Sequence, residues 1–371
     1  MHHVDVVVVG GGPAGSTCAW TLRRAGANVL VIDGARFPRD KVCAGWLTPR
    51  VLEVLVLAPD EYRASGLVMQ EMTGFRTSVL PDDRPVATRY ESVVSYAVRR
   101  CEFDHYLLRR AGAEVREGSP VSTIRRTGNR WIINDEVSAA VLVGAGGQFC
   151  PVARHLNPPS RSGLVIAREI ELAIDGERCS IEGSLPELYF CHDLDGYGWC
   201  VRKGDFLNVG FGRRSGHRFQ AHVRDFAAWL RASRTLPERV LDWGRWRGHA
   251  YRLRGATPFV AGDGVLLIGD AAGLAWPESG EGIAPAVESG VIAARTIVRS
   301  GGRFAAVDAP AYAKAIGAIA KSGPSVPAPL ARGLLRVPPF VRYALDRWFL
   351  RVTGARERAH VPLWEKQNAS M

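Results

Sequence analysis

Val4-Asp5-Val6-Val7-Val8-Val9-Gly10-Gly11-Gly12-Pro13-Ala14-Gly15 is the stretch on which the reading of this chain turns. Residues 4–9 are β-branched and almost continuously apolar, the pattern of a central parallel strand buried on both faces. The chain then runs through Gly-x-Gly-x-x-Gly into a helical stretch, Ser16 to Ala25, ended by Gly26. A second strand, Asn28 to Ile32, closes on Asp33. Each residue type has a physical task. Gly10 makes the tight turn, Gly12 lets the backbone approach a pyrophosphate, and Gly15 lets helix and strand pack closely. Pro13 and Ala14 complete the turn, and the helix start offers free N–H groups and the positive end of the helix dipole. Asp33 stands where an acid accepts ribose hydroxyls, about 20 residues on. A glycine-rich turn without a ligand would leave Asp33 unexplained, so the unit is read as dinucleotide-binding.

The far end of the chain narrows the dinucleotide. Gly264 to Asp270 is another apolar strand ending in Gly-Asp, followed by Ala271-Ala272-Gly273 and the turn Pro277-Glu278-Ser279-Gly280-Glu281-Gly282. A long Ala-rich helix is predicted from about Ile283 to Val298. The Gly269-Asp270 pair resembles the signature by which p-hydroxybenzoate hydroxylase-like flavoproteins hold the ribityl chain of FAD. That resemblance implies non-covalently bound FAD, with Asp270 accepting a ribityl hydroxyl. Gly280, Gly282 and Ile283 would lie at a helix start facing the flavin N1–C2=O edge, where charge gathers on reduction. Arg100-Cys101-Glu102-Phe103-Asp104 is similar to the superfamily's Arg-x-x-Phe-Asp helix, which sets Arg100 beside the cofactor. Val121 in Ser119-Pro120-Val121 would pass the adenine, and Ala140 to Gly147 forms a third strand-to-turn element.

Two further segments resemble the geranylgeranyl reductase family. Arg39-Asp40-Lys41-Val42-Cys43-Ala44-Gly45 is similar to that family's Arg-x-Lys-x-Cys-Gly loop, with Ala44 in place of glycine. The loop reaches the flavin in the family, which implies that Arg39, Lys41, Cys43 and Ala44 are cofactor neighbours. Gly196-Tyr197-Gly198-Trp199-Cys200-Val201-Arg202-Lys203, leading to Asn208-Val209-Gly210-Phe211-Gly212, is similar to Tyr-x-Trp-x-Phe-Pro followed by Asn-Val-Gly-x-Gly. It departs from the family at Cys200-Val201-Arg202. Tyr197 and Trp199 alternate along a strand and so share one face. They are read as a wall for an apolar substrate, against the alternative that they fill the second domain's core. Cys43 is the candidate catalytic thiol, weighed against an inert packing cysteine. Carboxylates such as Glu278 and Glu281 at a helix start serve capping and the dipole.

The expected fold is α/β. A Rossmann-type FAD domain, discontinuous over residues 1–75, 97–158 and 255–305, carries an α+β substrate domain built on a mixed sheet, 76–96 and 159–254. Residues 306–371 form a helical tail. Its aromatic and aliphatic positions alternate with Arg332, Arg336, Arg342, Arg347 and Arg351, so it suits either packing on the protein or peripheral contact with an anionic membrane.

Composition bounds the rest. Of 48 basic residues 43 are arginine and the formal charge is +11, but the arginines are scattered and no nucleic-acid motif occurs. Seven irregularly spaced cysteines with no Cys-x-x-Cys argue against a disulfide framework or a metal site, and for a cytoplasmic protein. No apolar run approaches the ~20 residues that span a bilayer, and no secretory leader is seen. The chain is expected to act as a monomer or homodimer on a small apolar substrate, including a lipid. One dinucleotide fingerprint leaves NAD(P)H bound transiently, or another redox protein, as the electron source. The first reading is a reductase of isoprenoid or similarly apolar C=C bonds. The alternative is a flavin-dependent monooxygenase, a hydroxylase before a halogenase, acting on an apolar or aromatic metabolite.

Overall fold

The computed structural model describes residues 1–81, 85–157, 164–174, 177–214, 216–252, 259–276, 280–301 and 308–319. The chain divides into two units. The first comprises Met1–Asp40, Cys101–Leu164 and Tyr251–Ser322; the described part of the second is Lys41–Arg100 and Val165–Ala250.

The first unit is built on an eight-stranded sheet. The strand His2–Val9 lies between Val29–Ile32 and Val137–Gly144, all parallel, with Glu114–Arg116 and Val265–Leu267 extending the parallel run on either side. Pairing on both edges and packing on both faces explain why residues 4–9 read as uniformly apolar: Val6, Val7 and Val8 have no exposed surface. The register aligns Val9 with Ile32 and with Gly144, and Gly144 with Leu267. Gly10, Asp33, Ala145 and Ile268 therefore leave the sheet at one carboxyl edge, where open α/β sheets bind their ligands.

The helix Pro13–Arg24 buries Ala14, Cys18, Ala19 and Leu22, a stripe at helical spacing. It starts at Pro13 rather than Ser16, because proline's fixed φ and missing N–H suit a first helical position. The helix Ile283–Arg299 packs on it so closely that a Cβ on Gly290 would come within 2.6 Å of the Ala14 carbonyl. The strand expected through Asp270 stops at Leu267, and Gly269–Ala272 is one tight turn of helix, because Gly269 takes φ +60°. A last described helix, Ala309–Ile319, places the Tyr312 hydroxyl 2.6 Å from the Leu267 carbonyl. The Arg-rich tail expected to be amphipathic lies outside the described residues, as does Glu278. Among the described residues, no helix is long and apolar enough to cross a membrane.

The second unit carries a seven-stranded mixed sheet in the order Arg247–Arg252, Leu164–Ala173, Phe206–Arg213, Gly196–Lys203, Glu187–Phe190, Gly74–Val79, Val86–Arg89. Glu187–Phe190 and Gly74–Val79 are parallel to each other. The helix Phe219–Ser233 covers one face, packing Phe226 and Leu230 with Ile170, Cys200, Val209 and Phe211. A small sheet of Trp46–Leu47, Ser95–Val98 and Met69–Met72 completes the unit.

Candidate functional site

The glycine turn of the first unit shows why each glycine is there. Gly10 has φ +115°, and a Cβ on it would stand 2.4 Å from the Ala145 carbonyl oxygen. At Gly15 a Cβ would meet the Gly10 carbonyl oxygen at 1.9 Å, so only glycine lets the helix start this close to the strand. Gly12 differs. Among the described residues, the only heavy atom within 4 Å of its Cβ position is Nη2 of Arg39, at 3.5 Å. Among the described residues no side-chain cap hydrogen bond closes the start of the helix that follows, so the amides of its first turn are available to a ligand. Open space, free N–H donors and one guanidinium make a cradle that fits an anionic pyrophosphate. Arg39 is held by Asp104, 3.2 Å away and fully buried, and lies over the Phe37 ring at 4.7 Å. Asp33 accepts from Gly11 N at 2.7 Å and from Ala35 N at 2.8 Å, so its carboxylate is locked beside the same turn.

The second motif abuts the first. A Cβ on Gly269 would come 3.0 Å from the Ala14 methyl, and the Gly269 N–H donates to Ser289 Oγ at 3.0 Å. The Asp270 carboxylate lies 3.2 Å from the Cβ position of Gly282, the residue from which Ile283–Arg299 starts without a side-chain cap. Gly280 holds the approach to that helix at φ +70°, donating to the Trp276 carbonyl at 2.8 Å. Ile283 is buried at the helix start, and Val121 packs half-buried on the core of this unit.

The remaining candidates lie in the second unit. Lys41 meets the His249 ring, Arg100 is buried, and Ala44 is half-buried. Cys43 is half-buried, with its sulfur 3.4 Å from the Gly45 N–H. Tyr197 and Trp199 do share the face opposite the helix Phe219–Ser233, with ring centroids 5.9 Å apart. Trp199 is only 6% exposed, and its indole N–H donates to Asn208 Oδ1 at 2.7 Å.

On that same face lies a charged cluster. Lys203, fully buried, bonds Glu171 Oε2 at 2.5 Å. Arg99 bonds Glu171 Oε1 at 3.3 Å and sits 3.6 Å over the Phe206 ring. Asn208 Nδ2 donates to Glu171 Oε2 at 3.3 Å. Glu169, two residues before Glu171, is buried, and its Oε2 has no hydrogen-bond partner among the described residues. Burial pushes its carboxyl up to about 7, although Lys203, the Cys43 backbone N–H and Asn208 all favour the charged form.

The comparisons with known proteins agree with this geometry. Residues 3–299 match the model of the FAD binding domain family. The chain belongs to that family. FAD is its cofactor, as the Gly-Asp signature implies. A menaquinone reductase of Mycobacterium tuberculosis is 33% identical over 330 residues, covering 79% of this chain and 76% of that protein. A geranylgeranyl diphosphate reductase of Rhodobacter capsulatus is 29% identical over 323 residues, covering 84% and 76%. The fold matches that of a geranylgeranyl bacteriochlorophyll reductase-like protein from Thermoplasma acidophilum with a TM-score of 0.68 at 21% identity, over 93% of this chain and 99% of that one. The resemblance to geranylgeranyl reductases drawn from the sequence is thereby borne out.

Within the first unit, the structure brings the predicted residues Gly10 and Asp33 to one sheet edge. The sequence reading missed the Glu169–Glu171–Lys203 cluster. The signal was present as two acids at alternate positions in Ile166-Ala167-Arg168-Glu169-Ile170-Glu171-Leu172. That alternation normally marks a solvated strand face, and only the structure shows the face to be covered.

Proposed function

We propose that this FAD-dependent oxidoreductase reduces carbon–carbon double bonds of an isoprenoid or other apolar substrate. The observation that carries the reading is the one-third identity to a reductase across four-fifths of the chain. Menaquinone and geranylgeranyl diphosphate, named in the two relatives, both carry polyprenyl chains. In this reading the amides after Gly12 and the Arg39 guanidinium bind the pyrophosphate, Asp33 the ribose, and Asp270 the ribityl chain. Asp104 fixes Arg39. Arg100, Lys41, Ala44 and Val121 complete the cofactor's surroundings. Bound FAD, once reduced, supplies hydride to one alkene carbon. Tyr197 presents its ring to the apolar chain, Trp199 backs it, and Cys43 is the thiol nearest in role to a proton donor for the second carbon. NAD(P)H or a redox protein supplies the electrons. The charge and the tail sequence suit peripheral contact with an anionic lipid surface.

The test is product mass. Anaerobic, photoreduced enzyme given geranylgeranyl diphosphate should yield product heavier by two hydrogens per bond reduced. Turnover that requires oxygen and adds an oxygen atom would replace this reading with a monooxygenase.

A further inference from the structure

We infer that Glu171 is a positioning residue for Trp199: acting through Asn208, it fixes the indole that backs the Tyr197 wall, and so sets how well that wall takes an apolar substrate. The consequence for substrate rests on the proposed function; the tie from Glu171 to Trp199 does not.

Each link of the tie is a hydrogen bond within the second unit. The Trp199 indole N–H donates to Asn208 Oδ1 at 2.7 Å, and Asn208 Nδ2 donates to Glu171 Oε2 at 3.3 Å. Lys203 Nζ donates to the same Glu171 oxygen at 2.5 Å, and Arg99 Nε to Oε1 at 3.3 Å. An indole N–H can only donate, and a carboxylate can only accept. Between them the Asn208 amide satisfies both in one direction alone. Turned round, it would set donor against donor and acceptor against acceptor. Glu171 therefore decides which end of Asn208 the indole meets.

The tied end governs the rest of the ring, because the ring lies along one strand. Asn208, Gly210 and Gly212 alternate on one face of Phe206–Arg213. The indole N–H is at Asn208, Cζ2 and Cε2 lie against Gly210, and Cζ3 stands 3.6 Å from the Cβ position of Gly212. Gly212 is the register partner of Tyr197, whose ring centroid is 5.9 Å from that of Trp199. A ring released at Asn208 would swing its far edge where Tyr197 stands. Packing alone does not call for this arrangement. Lys203 is fully buried, and a buried ion pair can often be replaced by apolar residues with no loss of stability. Filling the space needs no ion pair; holding one direction of the ring does.

The test is a double variant, Glu171→Leu with Lys203→Met, which removes both buried charges together and leaves Asn208 without its anionic partner. Arg99 is partly exposed and can turn to solvent. Two quantities are read in the FAD-loaded protein. One is exchange of the Trp199 indole proton with deuterated water, followed by NMR of isotope-labelled tryptophan and assigned with Trp199→Phe. The other is the dissociation constant of geranylgeranyl diphosphate, from equilibrium dialysis. The variant should melt at or above the wild-type temperature, since neither partner of the pair is left behind. Exchange should quicken about ten-fold, the factor that one net hydrogen bond supports. Binding should weaken about three- to ten-fold, part of what one aromatic contact provides. A pair that served structure alone would move stability and leave affinity where it was. Unchanged exchange overturns the tie, and quickened exchange with unchanged affinity overturns its role in substrate binding. Should the double variant not fold, Glu171→Asp keeps the charge for Lys203 but withdraws it from Asn208. The same two changes are then expected at smaller size, and their absence overturns the proposal. A wild type that does not bind geranylgeranyl diphosphate removes the proposed function instead, and indole exchange still decides the tie.

Discussion

A Cβ placed on Gly210 would stand 2.2 Å from the indole of Trp199, whose ring lies across the bare strand. Glycine here is a steric requirement of the ring, since Gly210 is not among the residues with positive φ. Gly210→Ala should therefore force the ring off its seat and strain the indole bond to Asn208. The expected loss is about 1–3 kcal/mol of folding stability, the usual cost of overpacking a filled site. A denaturant melt checks it; wild-type stability would mean that the ring has room to move.

The same seat separates the two aromatics by role. Trp199 is buried and bonded, so Trp199→Ala should cost roughly 3–5 kcal/mol of stability by opening a cavity. Tyr197 is half-buried, its ring tilted against Phe190 with centroids 5.7 Å apart. Tyr197→Ala should fold nearly as well as wild type and weaken binding of a polyprenyl substrate by about 1–3 kcal/mol, one large apolar contact. Unaltered affinity in that variant would leave the apolar-substrate reading without its aromatic wall.

Flavin retention tests the cradle. Gly12→Val fills the open space beside the turn, and Arg39→Ala removes the guanidinium next to it. Asp270→Ala removes the carboxylate beside the start of Ile283–Arg299. Each should elute from gel filtration with its 450 nm flavin band strongly reduced, while the circular dichroism of the fold persists. Asp104→Asn should have an intermediate effect, because Arg39 stays but loses its buried counter-charge. Full flavin content in the Gly12 variant would contradict the assignment of the turn to pyrophosphate.

Replacing Cys43 by Ser should leave FAD bound but change turnover and the flavin spectrum, since serine keeps the size and removes an acidic, polarizable sulfur. Identical kinetics and spectrum would return Cys43 to packing.

What could be read from the sequence was whatever local chemistry dictates. Gly10, Gly12 and Gly15 are readable because a turn, an open approach and a close helix contact each exclude other residues, and the structure shows those contacts at 2.4 Å for Gly10 and 1.9 Å for Gly15. The alternation of Tyr197 and Trp199 gave their shared face, but not that one ring would be sealed against Gly210 and bonded to Asn208. That depends on the register between two strands. The small sheet Trp46–Leu47, Ser95–Val98 and Met69–Met72 was not anticipated either, since strands of two to four residues carry too few side chains for a period to show. It is also why neither Glu169 nor Lys203 was singled out: Gly45, more than a hundred residues upstream, lies against the Lys203 ammonium, and no local pattern records it.

Glu169 also makes a prediction for stability against pH. Its folded-state carboxyl is raised from 4.5 to about 7 by burial. Below the unfolded value both states hold the proton, so Glu169 adds no pH dependence there. As the pH rises, the unfolded chain releases the proton first, so the folded state loses ground continuously until it too ionises near 7, after which the loss is constant. Glu169→Gln carries no such titration. Its melting temperature relative to wild type should therefore climb as pH goes from about 4.5 to about 7 and then level off. Taking the difference between the two proteins cancels the titration of every other group they share. A flat difference across that window would mean that Glu169 is ionised throughout, held by Lys203 more strongly than burial opposes it. A difference that falls with rising pH would mean that the folded protein prefers the carboxylate outright, and the account of the buried acid would have the wrong sign.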